Sequence, residues 1–256
     1  MRQSFLNLFV SIALVGAAAC AGAQDQKPPQ ATAPGKQVDP ATAGSLTGRV
    51  TFKGTPPAPE RMQINADPVC LQALGNNAKS DAVLINATGG IANAFVYVKD
   101  SLADYTFDLP KAAVAVDQKG CHYTPRIFGV RVGQAVDISN SDPTLHNVHS
   151  LPMVNREFNI GQPEQGSHMT QVFTAPEVMV RLKCDVHSWM TAYGGVMTHP
   201  FYAVTTPDGA FSMSGLPPGD YELAVWHEKL GTLSQKVTIG ASQTQTANFT
   251  LSATKQ

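Results

Sequence analysis

Residues 123–150 read YTPRIFGVRVGQAVDISNSDPTLHNVHS. The pattern predicts a strand, a turn at Gly133, a second strand and a loop that leads into another extended segment. Alternate side chains of an extended chain face opposite sides, so His146 and His149 point apart. Because Val148 shares the face of His146, we expect His146 to face the apolar interior and His149 to face solvent or a groove. A hydrogen-bonded core histidine is the plain alternative for His146.

Short β-rich segments separated by Gly, Pro, Asn or Asp fill most of the chain after residue 46. They include LTGRVTFKG (46–54), IANAFVYVKD (91–100), AVAVDQ (113–118), TQVFTA (170–175), VMVRLKC (178–184), FYAVTT (201–206), AFSMSG (210–215), YELAVWH (221–227) and SQKVTIG (234–240). The main helical candidate is residues 67–74. Closely spaced short strands predict an all-β fold of sandwiches or barrels, and the helices that βαβ units need are missing.

A second group of chemically distinctive residues lies in KCDVHSWM, residues 183–190. Cys184, His187 and Met190 cannot share one face of a strand, so the chain must turn after the cysteine if they are to converge. We expect this loop to extend through the small residues 192–195, with the next strand beginning near Val196. A buried thiol, a surface imidazole and a gap-filling thioether are the structural alternatives. Together with His146, however, these soft and borderline ligands favour a copper site.

Residues 112–200 resemble a cupredoxin, through the run 123–147 and the Cys-x-x-His of KCDVHSWM. The resemblance implies a Greek-key sandwich holding one copper ion, with His146, Cys184 and His187 as equatorial ligands and Met190 as the axial ligand. It also implies that Asn147 ties the first ligand strand to the cysteine loop. Plastocyanin-like members have four residues between the histidine and the methionine, whereas this chain has two. Because the loop has one cysteine, we expect a mononuclear site.

Two other cysteines remain once Cys184 is assigned to copper and Cys20 to the leader. We predict a disulfide between Cys70 and Cys121. The alternative is that one of them pairs with Cys184, which would abolish the metal site.

Residues 201–240 resemble the later half of a carboxypeptidase regulatory-like domain, a small transthyretin-like sandwich grouped with carbohydrate-binding-like folds. The resemblance rests on TPDGAF (206–211) and LPPGDY (216–221), which place tight turns at Asp208-Gly209 and Pro218-Gly219. The first half of the sandwich would come from residues 46–110 and the second from 201–256. The cupredoxin-like domain, residues 111–200, would then be inserted between them. A simple tandem of two domains is the alternative.

The N-terminus predicts export. Residues 1–23 have the charged start, apolar run and small-residue end of a signal peptide, and residues 24–45 have the composition of a disordered linker. Ala17-Ala18-Ala19-Cys20 also resembles a lipobox, in which Cys20 would be lipidated. We therefore expect a periplasmic or extracellular protein, either soluble or a lipoprotein, with no transmembrane helix in the mature chain.

Composition and charge limit the classes of function that are open to this chain. With 43% hydrophobic residues the chain can form a core, and a net charge of −1 without basic clusters argues against nucleic acid as a partner. The sequence shows no catalytic triad and no phosphate-binding loop, so we expect no enzymatic activity. The leading hypothesis is an electron carrier with an unidentified redox partner. Copper storage or delivery and a carbohydrate-binding or cell-surface interaction module are the alternatives.

Overall fold

The structure, a computed structural model, describes residues 35–64, 67–99 and 102–253. The predicted signal peptide, with Cys20, and residues 24–34 of the predicted linker lie outside the described residues. The described elements are β1 (Gly44–Phe52), α1 (Pro68–Leu74), β2 (Phe95–Val98), β3 (Val114–Gln118), β4 (Tyr123–Thr124), β5 (Ile127–Arg131), β6 (Ala135–Asn140), β7 (His146–Leu151), β8 (Asn159–Gln162), β9 (His168–Val172), β10 (Glu177–Lys183), β11 (Thr191–Met197), β12 (Tyr202–Val204), β13 (Ala210–Leu216), β14 (Gly219–His227), β15 (Gly231–Ile239), β16 (Thr244–Thr246) and β17 (Phe249–Leu251). The predicted all-β fold class is confirmed.

The first sandwich combines strands from both ends of the described chain, and we call it the split sandwich. One sheet has the order β13-β1-β16, with β17 also paired to β1, and the other has the order β12-β2-β14-β15. Its core contains Leu46, Phe211, Leu216 and Leu223, each at most 5% exposed. Strands before residue 99 therefore pair directly with strands after residue 201, which is the pairing of a sandwich interrupted by another.

The second sandwich is formed by β3–β11, and we call it the ligand sandwich. Its sheets have the orders β5-β11-β10-β7-β8 and β4-β3-β6-β9. Pairing is mixed, because β5 runs parallel to β11 and β3 runs parallel to β6, while β7 and β10 are antiparallel. The core between the sheets includes Val116, Val136, Ile138, Val148 and Leu182, all 1% exposed or less.

Helix α1 packs with the ligand sandwich, although sequence analysis placed its residues in the other domain. Asp67 caps the helix by accepting hydrogen bonds from the backbone N–H groups of Val69 and Cys70, at 2.8 and 3.1 Å. Cys70 forms the predicted disulfide with Cys121, and both half-cystines are fully buried in the ligand-sandwich core. A loop of 51 residues closed in this way stabilises the fold by about 4 kcal/mol.

Two segments begin earlier than the sequence predicts. Lys36, within the predicted disordered linker, donates a backbone hydrogen bond to Asp104 O at 2.7 Å, and β1 begins at Gly44. Strand β11 begins at Thr191, so the expected loop at 192–195 is part of a strand. Glycine is required there because a Cβ on Gly195 would lie 2.4 Å from the ring of Phe95 in the split sandwich.

The two sandwiches meet along a seam, which buries a third apolar cluster of Phe95, Tyr97, Ile127, Met197 and Ala224. Beside this cluster, Arg126 is paired with Asp81 and Glu228 at 2.6 and 2.5 Å. The seam is thus closed by apolar packing and a partly buried ion-pair network. Within residues 35–64, 67–99 and 102–253, no helix has the length and apolar character that a membrane crossing requires.

Candidate metal centre

Three adjoining strands of the ligand sandwich bring the predicted ligands to one end of its core. His146 begins β7, Cys184 follows β10 directly, and Met190 directly precedes β11. The loop between Cys184 and Met190 turns back on itself. Cys184 N–H donates to Met190 O at 3.2 Å and Met190 N–H donates to His187 O at 2.9 Å. The turn that the sequence requires after the cysteine is therefore present.

His146, Cys184 and His187 converge within this core. One potential ligand atom from each lies within 4.8 Å of the others. The two Nδ1 atoms are 2.9 Å apart, and Cys184 Sγ is 3.8 Å from His187 Nδ1. His146 and Met190 are fully buried, and Cys184 and His187 are 2% exposed or less. Two imidazoles and one thiol thus face one another in the apolar interior, with the Met190 side chain in the same core cluster.

Asn147 occupies the position that the resemblance implies. Its Oδ1 accepts a hydrogen bond from the Asp185 backbone N–H at 2.6 Å, which joins β7 to the cysteine loop. Its Nδ2 donates to Asn159 Oδ1 at 2.6 Å. Asn147 therefore fixes the loop next to Cys184 relative to the strand that carries His146.

Two carboxylates form hydrogen bonds with the outer nitrogens of the imidazoles. Neither carboxylate was predicted from the sequence to belong to the site. Asp142 Oδ2 lies 3.0 Å from His146 Nε2, and Asp67 Oδ2 lies 3.2 Å from His187 Nε2. Such carboxylates fix the ring orientation and make the other nitrogen a better ligand. Asp142 stands four residues before His146, a signal available in the sequence, whereas Asp67 is 120 residues from His187.

The disulfide connects these two carboxylates. Cys121 N–H donates to Asp142 Oδ2 at 2.7 Å, and Cys70 N–H donates to Asp67 Oδ1 at 3.1 Å. Each half-cystine thus anchors the carboxylate that orients one imidazole. The Cys70–Cys121 bond consequently links the two segments whose backbone N–H groups hold Asp67 and Asp142. Cys184 remains a free thiol.

The surroundings of Cys184 favour its thiolate. Burial raises the pKa of the thiol, but hydrogen bonds from the His187 side chain and the Asn147 backbone outweigh it, so the pKa lies below its ordinary value. The thiolate is the form that binds metals.

The donor set fits a soft or borderline metal ion. Two nitrogens bound to one ion at trigonal angles lie about 3.5 Å apart, so the rings need to separate by roughly half an ångström. Two other groupings, around Asp67 and around Asp142, each contain a half-cystine of the disulfide, so they provide no thiolate. A His₂Cys set with a nearby thioether is the arrangement that suits mononuclear copper.

His149 lies outside this centre, as its position in the strand predicts. Its Nδ1 is 2.9 Å from Asp185 Oδ2 and its Nε2 is 2.9 Å from Glu157 Oε1. Hydrogen bonding to Glu157 raises the pKa of His149 despite the partial burial that lowers it, and Asp185 adds to the rise. This histidine belongs to a surface ion-pair cluster.

Comparisons with known proteins found one family model and several solved structures. Residues 192–252 match the family model of the carboxypeptidase regulatory-like domain. Solved structures similar to this chain include the Cu(I) form of a methionine-to-alanine mutant of amicyanin (23% identity, 35% of this chain and 87% of that chain, TM-score 0.31). A purple cupredoxin from Nitrosopumilus maritimus is similar at 20% identity over 33% of this chain and 99% of that chain, with a TM-score of 0.29.

A copper-containing nitrite reductase from Thermus scotoductus SA-01 is similar at 20% identity over 41% of this chain and 26% of that chain, with a TM-score of 0.30. No curated protein matches the sequence. With identities below 25% and TM-scores near 0.3, the function has to be argued from the residues of the site.

Proposed function

We propose that this chain is an exported protein that binds one copper ion and carries electrons. The observation that carries the proposal is the convergence of His146, Cys184 and His187 within 4.8 Å in the buried core of the ligand sandwich. Met190, fully buried in the same cluster, is the proposed axial ligand. When bound, copper supplies a centre that alternates between Cu(I) and Cu(II). The protein supplies ligands that suit both states: thiolate and thioether favour the reduced ion, and imidazole accepts either.

Burial of the ligands favours electron transfer over copper storage or delivery. Each proposed ligand is 2% exposed or less, so an ion held there has little direct contact with solvent or with a receiving protein. The surface residues that could have supported delivery, such as Met153 and His168, are exposed and lie outside the ligand grouping. The same burial keeps substrates away from the metal, so we propose a carrier rather than an enzyme.

The disulfide supports the export part of the proposal. Disulfides persist in oxidising compartments such as the periplasm and the cell exterior, and they are rare in the cytosol. Because Cys70–Cys121 also supports the two imidazoles through Asp67 and Asp142, the metal centre itself depends on an oxidising environment for its full framework.

Copper(II) loading tests the proposal. We expect one copper per chain, an intense thiolate-to-copper band in the visible spectrum and a matching electron-paramagnetic-resonance signal. Cys184→Ser should abolish the band, whereas His168→Gln, which changes an exposed histidine on β9, should leave it unchanged. A protein that binds sugars but takes up no copper would support the carbohydrate-binding alternative instead.

A further inference from the structure

A groove at the seam lies against the ligand loop, and we call it the seam groove. It has a volume of about 430 Å³, within the range of small-molecule sites, and it is bordered by both sandwiches. Its lining residues include Arg61, Arg126, Arg181, Trp189, Tyr193 and Lys229. Ser188 and Trp189 belong to the loop that carries His187, so the groove lies beside the loop of the proposed metal centre.

The charge of the seam groove is positive. Arg126 is paired with both Asp81 and Glu228, so these three side chains together carry one net negative charge. The other charged lining residues are Arg61, Arg181 and Lys229, which are positive, and Glu60, which is negative, so the groove with its ion-pair network carries one net positive charge. Arg61 donates to the neutral oxygens Asn76 O and Asn77 Oδ1, and Arg181 and Lys229 are exposed. A concave site with a net charge concentrates ligands of the opposite sign.

Trp189 connects this groove to the centre. Its ring centroid lies 5.1 Å from that of His187, and its Nε1–H donates to Cys121 O at 3.0 Å. The indole is half-buried and lines the groove, whereas the His187 ring is 1% exposed, with its outer nitrogen held by Asp67. Trp189 therefore gives the buried imidazole an aromatic contact that reaches the surface.

We propose that the seam groove binds a small anionic one-electron carrier, which exchanges its electron with the copper centre through Trp189 and His187. This inference rests on the proposed function, because it names the partner of the same site. In each encounter one electron passes between the site and the carrier, whose own redox centre changes oxidation state by one. No bond forms or breaks and no proton moves.

Fluorescence quenching of the copper-free protein tests whether the seam groove attracts anions. The chain has two tryptophans, so a copper-free Trp226→Phe protein reports on Trp189 alone. Relative to free tryptophan amide, we expect iodide to quench Trp189 at least about 3-fold more effectively than caesium at low ionic strength. Adding Arg181→Glu and Lys229→Glu should remove this preference. Lys111→Glu, an exposed charge outside the groove, should preserve it. A preference that survives the double charge reversal would overturn the anionic site.

Oxidation of the cuprous protein tests the electron route. The probes are hexacyanoferrate(III), an anion, and tris(phenanthroline)cobalt(III), a cation, and the copper–thiolate band is followed by stopped flow. We expect the double charge reversal to slow oxidation by hexacyanoferrate(III) roughly 10-fold or more at low salt without slowing oxidation by the cobalt complex. Trp189→Leu should slow oxidation by hexacyanoferrate(III) while the absorption band remains. Unchanged rates in both variants would overturn the inference.

The two proposals can fail separately. A protein that takes up no copper, or that shows no thiolate band, contradicts the proposed function, and the quenching experiment still decides whether the seam groove attracts anions. If the band is normal but the rate of oxidation by hexacyanoferrate(III) depends neither on the groove charges nor on Trp189, only the role of the seam groove is contradicted.

Discussion

His187 is held on both sides of its imidazole ring. Nδ1 faces His146 and Cys184, and Nε2 faces the carboxylate of Asp67. The sequence, through its resemblance to a cupredoxin, was sufficient to propose His146, Cys184, His187 and Met190 as ligands, and the structure brings the first three together. It could not identify Asp67, whose capping role in α1 is visible in the sequence but whose contact with His187 depends on tertiary packing. Asp67 and Asp142 thus orient two of the proposed ligands, His187 and His146.

Asp67→Asn tests this orientation. Asparagine keeps the oxygen that caps α1 but loses the charge that faces His187 Nε2. We expect copper affinity to fall about 10-fold to 100-fold, the usual effect of removing a residue that supports a metal-binding histidine. Competition with a chelator of known affinity measures the loss.

Asp39→Asn is the matched control. Asp39 caps an exposed turn through Ala41 N–H at 2.9 Å and is not among the residues of the centre. An Asp67→Asn protein with the copper affinity of this control would contradict the role of Asp67.

The elements around the site are positioned by close contacts between distant segments. Strand β11 carries Gly195 against the ring of Phe95, and this contact joins the ligand sandwich to the split sandwich. Sequence analysis assigned residues 192–195 to a loop because they are small and flexible in isolation. The packing reason for glycine at position 195 lies 100 residues away, in β2, and no local pattern reveals it. By contrast, most strands with alternating apolar residues were predicted correctly.

Gly195→Ala tests this contact. The added Cβ would lie 2.4 Å from Phe95 Cζ, so a buried ring in the seam has to shift. We expect a loss of about 1–3 kcal/mol in the free energy of unfolding, typical of overpacking in a core. Urea denaturation measures it. Gly161→Ala, in strand β8, is the control because its Cβ would meet nothing within 4 Å. Equal stability of the two variants would show that the seam is loosely packed.

In the described residues, at the largest scale, a split sandwich is joined to a ligand sandwich along one seam. The C-terminal motifs TPDGAF and LPPGDY predicted half of a sandwich, whose partner strands had to come from elsewhere in the chain. In the structure, β1 and β2 pair with that half. The predicted Cys70–Cys121 disulfide already connected α1 to the ligand sandwich, although the predicted domain boundary placed α1 in the other domain. The contact of Asp67 with His187 depends on tertiary packing and could not be predicted. The strands between residues 114 and 197 form the ligand sandwich as a unit.

Buried histidines make the split sandwich sensitive to acid. His199 Nε2–H donates to Val98 O at 3.0 Å and its Nδ1 accepts from Phe201 N–H at 3.2 Å, which requires the neutral ring. Burial lowers the pKa of His199 to about 4. The unfolded chain, with a histidine pKa of about 6.5, therefore binds the proton first as the pH falls. We expect His199 to cost up to about 3 kcal/mol of stability between pH 6.5 and pH 4.

The measurement is the free energy of unfolding as a function of pH. In the wild-type protein it should fall below about pH 6.5, and His199→Gln should reduce the fall. Part of the fall should persist, because burial also lowers the pKa of His227 to about 4. His168→Gln, at an exposed position, should retain the wild-type slope. A slope in His199→Gln equal to that of the wild type would contradict the assignment.

We propose an electron carrier in which one copper ion, held by His146, Cys184, His187 and Met190, passes single electrons without leaving the protein. The decisive measurement is a spectroelectrochemical titration of the copper-loaded chain with a Cu(I) chelator present. We expect the thiolate–copper band to bleach and return in one reversible one-electron wave, with the copper content unchanged. Loss of copper to the chelator on reduction would rule out the proposed carrier and indicate a storage or delivery protein.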